Sequence, residues 1–268
     1  MSTVMLFYKN IVPLSREEHK ELKFSQSKDS SFAQHTHWVP LSGEEFYRAA
    51  LSYPIVFIGS ENKDGKMSYT SVALLGLSNN KNDFIREDKS WEADQYIPAF
   101  VRRYPFVLAG DADQEVLSVC IDKDSGMFNT VSGINLFNED GTSSAFLDQR
   151  ITFLNQFKSS MEQTSKFIDL LTKMDLLTKE SVNIQNTTGQ NAILNDFWIV
   201  DEEKFRKLKG YDLEKLHKKG ALGWIFSHLM SINNLPLLLN RLVKNQRNDN
   251  SENADTKVEK KSSSKKTS

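Results

Sequence analysis

The sequence predicts an α+β fold, β-rich to about residue 140 and mainly helical from 141 to 245. Three observations carry that prediction. Short apolar runs separated by turn signals fill the first half, helical periodicity takes over in the second, and beyond residue 245 the chain is almost without apolar side chains. The turn signals are Asn62-Lys63-Asp64-Gly65, Asn79-Asn80-Lys81-Asn82, Asp122-Lys123-Asp124-Ser125-Gly126 and Asn138-Glu139-Asp140-Gly141.

Between the turns lie residues 55–58, 72–77, 106–109 and 116–121. These runs are continuous rather than alternating, which predicts strands covered on both faces with helices supplying one cover. Short helices are predicted at 43–51, where Ser42 caps and Glu45 completes a capping box, and at 99–103. Tyr53-Pro54-Ile55-Val56-Phe57-Ile58-Gly59 and Tyr104-Pro105-Phe106-Val107-Leu108-Ala109-Gly110 share Tyr, Pro, Val and Gly at an offset of 51 residues. Either a helix–strand–strand unit is duplicated, or two segments converge on one helix-to-strand turn.

From 144 to 177 apolar residues recur at Leu147, Ile151, Leu154, Phe157, Met161, Ile168, Leu171 and Met174, interrupted at Thr164-Ser165. This predicts one long amphipathic helix, or two in line, packed on the sheet. A homodimer through the same helix is its other use. A strand is expected at 191–200, a short helix capped by Asp201 and running through Phe205 and Leu208, another at 212–218, and apolar segments at 221–230 and 235–243. Residues 1–245 are thus read as a single domain. The tail, 246–268, holds six basic and four acidic residues and only Ala254 and Val258 as apolar ones, the composition of a disordered segment.

Composition narrows the function classes. With 34 basic against 35 acidic residues, 39% hydrophobic residues and 12 glycines, the chain is neither disordered overall nor fibrous. No window approaches the ~18 uninterrupted apolar residues of a membrane span, so no transmembrane segment is expected. A net charge of -1 argues against a dedicated nucleic-acid or membrane-surface binder. The single Cys120 excludes an internal disulfide and a cysteine-based zinc site, and its place in the apolar run 116–121 marks it as a small core residue. The N-terminus shows no Sec-type signal, which favours a cytoplasmic protein, with the cell surface reached by signal-less export as the alternative.

The chain carries no Gly-x-Gly-x-x-Gly, P-loop or Gly-x-Ser-x-Gly motif, and no cofactor is expected. Asp122 and Asp124 with Gly126 fall short of a calcium loop, because Met127 and Gly133 stand where glycine and a bidentate Glu are required. That segment is read as a hairpin turn. His35 and His37, two residues apart, are candidate metal ligands on one side of an extended strand, or else simply surface. His19 is expected to be solvated, and His228 to be a hydrogen-bonded core residue.

The least ordinary stretch is 91–106. Adjacent Arg102 and Arg103 stand among aromatics and prolines, and guanidinium groups are costly to bury unless they meet carboxylates, carbonyls or an anionic ligand. One reading makes Arg102 and Arg103 a carboxylate or phosphate site, with Trp91 or Tyr96 stacking beside it and Tyr104 completing the candidate surface. The other makes the pair a structural knot through Glu92, Asp94 or Asp111.

Tyr96-Ile97-Pro98-Ala99-Phe100-Val101-Arg102-Arg103-Tyr104-Pro105-Phe106 resembles the signature of the bacterial SapC family, associated with surface-layer (S-layer) genes. Further similar segments occur in the expected order: His37-Trp38-Val39-Pro40-Leu41 with Glu45-Phe46, Tyr53-Pro54-Ile55-Val56-Phe57, Ala73-Leu74-Leu75-Gly76-Leu77, Leu117-Ser118-Val119-Cys120-Ile121-Asp122, Leu136-Phe137 with Asp140-Gly141, and Gly220-Ala221-Leu222 through His228-Leu229-Met230-Ser231. The resemblance spans about residues 8 to 243 and implies a link to S-layer formation, without agreed catalytic residues. S-layer subunits are usually long, glycine-rich, lysine-poor and exported, so this composition points to an accessory protein. The expectation is a non-enzymatic accessory or binding protein for S-layer formation or surface-protein export, with a protein or a small anionic ligand as partner. The alternative is an enzyme or an auxiliary of small-molecule metabolism, metal-assisted through His35 and His37.

Overall fold

The computed structural model describes residues 5–61, 64–110, 117–185, 189 and 191–245. The tail, Asp111 and Val116 lie outside the described residues. In chain order the elements are β1 (Ile11–Pro13), β2 (Lys23–Phe24), β3 (Trp38–Pro40), α1 (Phe46–Ala49), β4 (Ile55–Glu61), β5 (Met67–Leu74), α2 (Ala99–Arg102), β6 (Phe106–Ala109), β7 (Ser118–Asp122), β8 (Phe128–Asn129) and β9 (Ile134–Asn135). Then follow α3 (Ala145–Lys173), β10 (Leu177–Gln185), β11 (Asn191–Val200), α4 (Glu202–Arg206), α5 (Gly210–Lys218), α6 (Ala221–Ser231) and α7 (residues 235–245). The α+β class is as the sequence predicts.

A five-stranded antiparallel sheet in the order β10-β11-β4-β5-β3 carries the main core, beside two three-stranded sheets, β1-β7-β6 and β8-β2-β9. The first halves of β4 and β6 and the second halves of β5 and β7 are buried, which is why those runs read as continuously apolar. Both echo segments form a short helix followed by an antiparallel strand pair, but they do so in different sheets: β4 with β5, and β6 with β7.

The periodic stretch from 144 is one helix of 29 residues. Ser144 caps it by accepting from the Leu147 amide at 3.2 Å and fixes its entry by donating to the Asn135 carbonyl at 2.7 Å. The interruption at Thr164 has a local cause: that hydroxyl is buried, donates to the Ser160 carbonyl at 2.6 Å and accepts from the Gly43 amide at 2.8 Å. α3 also joins two cores, with Leu147 and Leu154 packed among Phe24, Phe106, Ile121 and Leu136, and Phe167, Ile168 and Leu171 in the main one.

Several expectations need correction. β10 is absent from the sequence reading, so the second half contributes a long hairpin to the sheet besides its helices. The turn after Asp122 joins strands of different sheets and is not a hairpin. Asp122 is fully buried and accepts from the Lys9 and Asn10 amides at 3.0 Å each and from the Tyr104 hydroxyl at 3.1 Å, which makes it an anchor for β1. His19 is buried rather than solvated, its Nδ1 accepting from the Ser15 amide at 3.0 Å.

Candidate ligand-binding site

The strongest polar constellation is built on the capping box that the sequence announces. Ser42 precedes a 3-10 turn (Gly43–Glu45) that runs into α1, and the Glu45 side chain reaches back to the Ser42 amide at 3.1 Å and its hydroxyl at 2.8 Å. The other carboxylate oxygen accepts from the Ala99 amide, the first residue of α2, at 2.6 Å and from the Tyr96 hydroxyl at 2.9 Å. Four donors thus satisfy one buried carboxylate, the arrangement that makes its burial tolerable.

Arg102 extends this network outward. Its Nε donates to the Ile97 carbonyl at 2.9 Å and one terminal nitrogen to the Tyr96 hydroxyl at 3.1 Å, and the guanidinium lies 5.2 Å from the Phe153 ring centroid. Burial, and then the Glu45 carboxylate, push the Tyr96 hydroxyl up to about 12, so it stays protonated as the relay between Glu45 and Arg102. A cavity of about 270 Å³ opens here, lined by Arg48, Arg102, Tyr96, Phe153 and Phe157 among others. Glu44 also lines it and accepts from Ser160 at 2.7 Å. Arg48 and Arg102 are exposed, and neither forms an ion pair among the described residues. Two of the five guanidinium N–H groups of Arg102 are held from behind, which presents the remainder to the cavity.

The five candidate residues do not form one surface. Arg102 and Tyr96 share the cavity. Arg103, one residue on, turns inward: it is 6% exposed, lies 4.0 Å from the Phe100 centroid and is hydrogen-bonded to Tyr8, and burial lowers its proton affinity. Trp91 is buried and donates to the Tyr53 hydroxyl at 3.1 Å, while Tyr104 is buried, stacked on Phe32 and bonded to Asp122. Glu92 pairs with Arg241 at 3.1 Å and not with the arginine pair. Glu45 and Arg48 were missed as members of the site, although the capping box already located Glu45.

His35 and His37 fall in a turn and bend before β3 rather than on a strand. His35 contacts Gln34 at 2.7 Å and His37 accepts from the Asn80 amide at 3.4 Å. Among the described residues no three His, Cys, Asp or Glu side chains group as a metal site. His228 bears out its expectation as a core residue. It is fully buried, accepts from the Val200 amide at 3.0 Å through Nε2, and therefore carries its proton on Nδ1, facing the Ile55 carbonyl at 2.8 Å.

Residues 14–238, spanning this site and most of the fold, match the family model described as SapC. The chain belongs to the SapC family. The segments that carry the SapC resemblance supply Glu45, Tyr96, Ala99 and Arg102 to the lining of the Arg102 cavity. Comparisons with curated proteins and with solved structures found no match.

Proposed function

We propose that this SapC-family protein is a non-enzymatic accessory protein of S-layer formation or surface-protein export, acting inside the cell and recognising a carboxylate or phosphate group at the Arg102 cavity. The observation that carries the binding site is an outward guanidinium anchored from behind by Ile97 and Tyr96, backed by Phe153 and free of a carboxylate partner among the described residues. A preorganised fork of this kind loses little side-chain freedom when an anion arrives. Arg48 on the same wall adds a second cation. The S-layer part of the reading rests on family membership.

The test is thermal unfolding of the full chain titrated with inorganic phosphate and with succinate. The wild-type midpoint rises with one of the anions, while Arg102→Ala starts from nearly the same midpoint and stays flat. Equal rises in both proteins sink the proposal. Electron microscopy of cells lacking the gene tests the biological half, with an unchanged surface layer counting against it.

A further inference from the structure

The near-neutral total charge conceals a segregation. Residues 201–245, which form α4–α7, hold nine lysines and arginines against five aspartates and glutamates, a net +4 in a chain whose total is -1. From Lys215 to Asn245 there is no acidic residue. Glu202 pairs with Arg206 within α4 at 2.9 Å, Glu203 with Lys207 just beyond its end at 3.5 Å, and Glu214 with Lys218 at 2.5 Å. Lys209, Lys215 and Lys219 have no ion-pair partner among the described residues.

The same unit exposes apolar surface in an ordered way. A cleft of about 660 Å³ separates α4–α5 from α6 and is lined by Phe205, Leu208, Leu213, Leu222 and Leu229, among others. Phe226 and Met230 line it too, yet remain 53% and 67% exposed, and Leu237 and Tyr211 are 57% and 76% exposed. Leu222, Phe226, Met230, Asn233 and Leu237 follow one another at steps of four and three, so the exposed residues form a stripe along α6 into α7. The opposite face is fixed in the core by Ile225, His228, Leu235 and Leu238. Ala221–Asn245 is the one described helical stretch long and apolar enough to cross a membrane by length and composition, but its inner face is already used, which leaves it able to lie on a bilayer rather than span one.

Uncompensated lysines on and flanking α5, a helix packed against α6, together with the solvent-facing apolar stripe of α6–α7 are complementary to a surface that is apolar below and anionic above. We propose that the α4–α7 face docks this protein onto an anionic lipid surface. Phe226, Met230, Leu237 and Tyr211 enter the boundary between headgroups and acyl chains, and Lys209, Lys215 and Lys219 lie along it with their ammonium groups at the lipid phosphates. This goes beyond the Arg102 site and is independent of it.

Co-sedimentation of the full chain with vesicles tests the proposal at physiological ionic strength, comparing phosphatidylcholine alone with equal parts phosphatidylcholine and phosphatidylglycerol. The wild type pellets with the mixed vesicles and stays in solution with phosphatidylcholine alone. Lys209→Glu/Lys215→Glu/Lys219→Glu weakens partitioning by about tenfold or more. Phe226→Glu/Met230→Glu, both at exposed positions, abolishes it with little change in the urea midpoint. Should that pair unfold, the lysine variant and the two lipid compositions still decide the matter. No pelleting with mixed vesicles overturns the proposal, as does equal pelleting with both compositions. Binding to no vesicle but to an acidic amphipathic helical peptide reassigns the face to a protein partner. A wild-type dimer that Phe226→Glu/Met230→Glu turns into monomers, with no vesicle binding, reassigns it to a second copy of the chain.

Discussion

The Glu45 carboxylate and the Ala99 amide, separated by 54 positions in the chain, meet in a 2.6 Å hydrogen bond that ties the first turn of α2 to the 3-10 turn before α1. The bond holds α2, and with it Tyr96 and Arg102, beside the turn that carries Arg48, so the shape of the cavity depends on Glu45. Glu45→Ala leaves buried donors on Ser42, Ala99 and Tyr96 without an acceptor, and a loss on the order of 3 kcal/mol is expected in urea unfolding. Glu45→Gln retains one acceptor oxygen but turns an NH₂ group toward donors, and an intermediate loss is expected.

The adjacent arginines separate in stability measurements. Arg103 is packed over Phe100 with Tyr8 and Phe157 around it, so Arg103→Ala removes stacking and a buried hydrogen bond together and costs about 2 to 4 kcal/mol. Arg102 is exposed, and Arg102→Ala stays within about 1 kcal/mol of wild type. Urea midpoints of the two variants, measured side by side, check this. Equal losses contradict the assignment of one arginine to the core and the other to the cavity.

These contrasts show which features the sequence could disclose. The Ser42–Glu45 box and the Asp201 cap were legible because each is closed within three residues by local geometry. His228 was legible from the apolar face around it. The inward turn of Arg103 depends on how α2 is oriented, and that orientation is set by Glu45 from another element. Asp122 looked like a turn residue because its partners, Lys9, Asn10 and Tyr104, are distant in sequence. β10 escaped notice because an edge strand with one solvated face reads Leu-Thr-Lys-Glu-Ser-Val-Asn-Ile-Gln, too polar for a run-based search. The cluster of uncompensated lysines was hidden by averaging charge over the whole chain.

Gly76 sits where a side chain would strike backbone. A Cβ at this position meets the Lys81 carbonyl oxygen, across the turn that follows β5. Gly43 also lacks room, but there the obstacle is the Trp224 ring, a half-buried side chain that can shift. Gly76→Ala is therefore expected to cost more than Gly43→Ala, with both in the range of about 1 to 3 kcal/mol. Thermal midpoints of the two variants check the order, and the reverse ranking refutes the backbone argument.

His228 supplies the pH dependence. Burial lowers its pKa from 6.5 to about 4, against a smaller opposing effect from the Ile55 carbonyl. Nε2 has to stay unprotonated to accept from the Val200 amide, and the Phe57 ring 5.0 Å away offers no compensation for a charge. Between these two pH values the unfolded chain binds a proton that the folded one refuses. The contribution is therefore complete above about pH 6.5 and declines as pH falls through about 4, by on the order of 3 kcal/mol in total. His228→Gln keeps one donor and one acceptor without titrating, so the difference in urea unfolding free energy between wild type and variant narrows on acidification. A constant difference from neutral pH to about pH 4 shows that the imidazole is protonated in the folded protein after all.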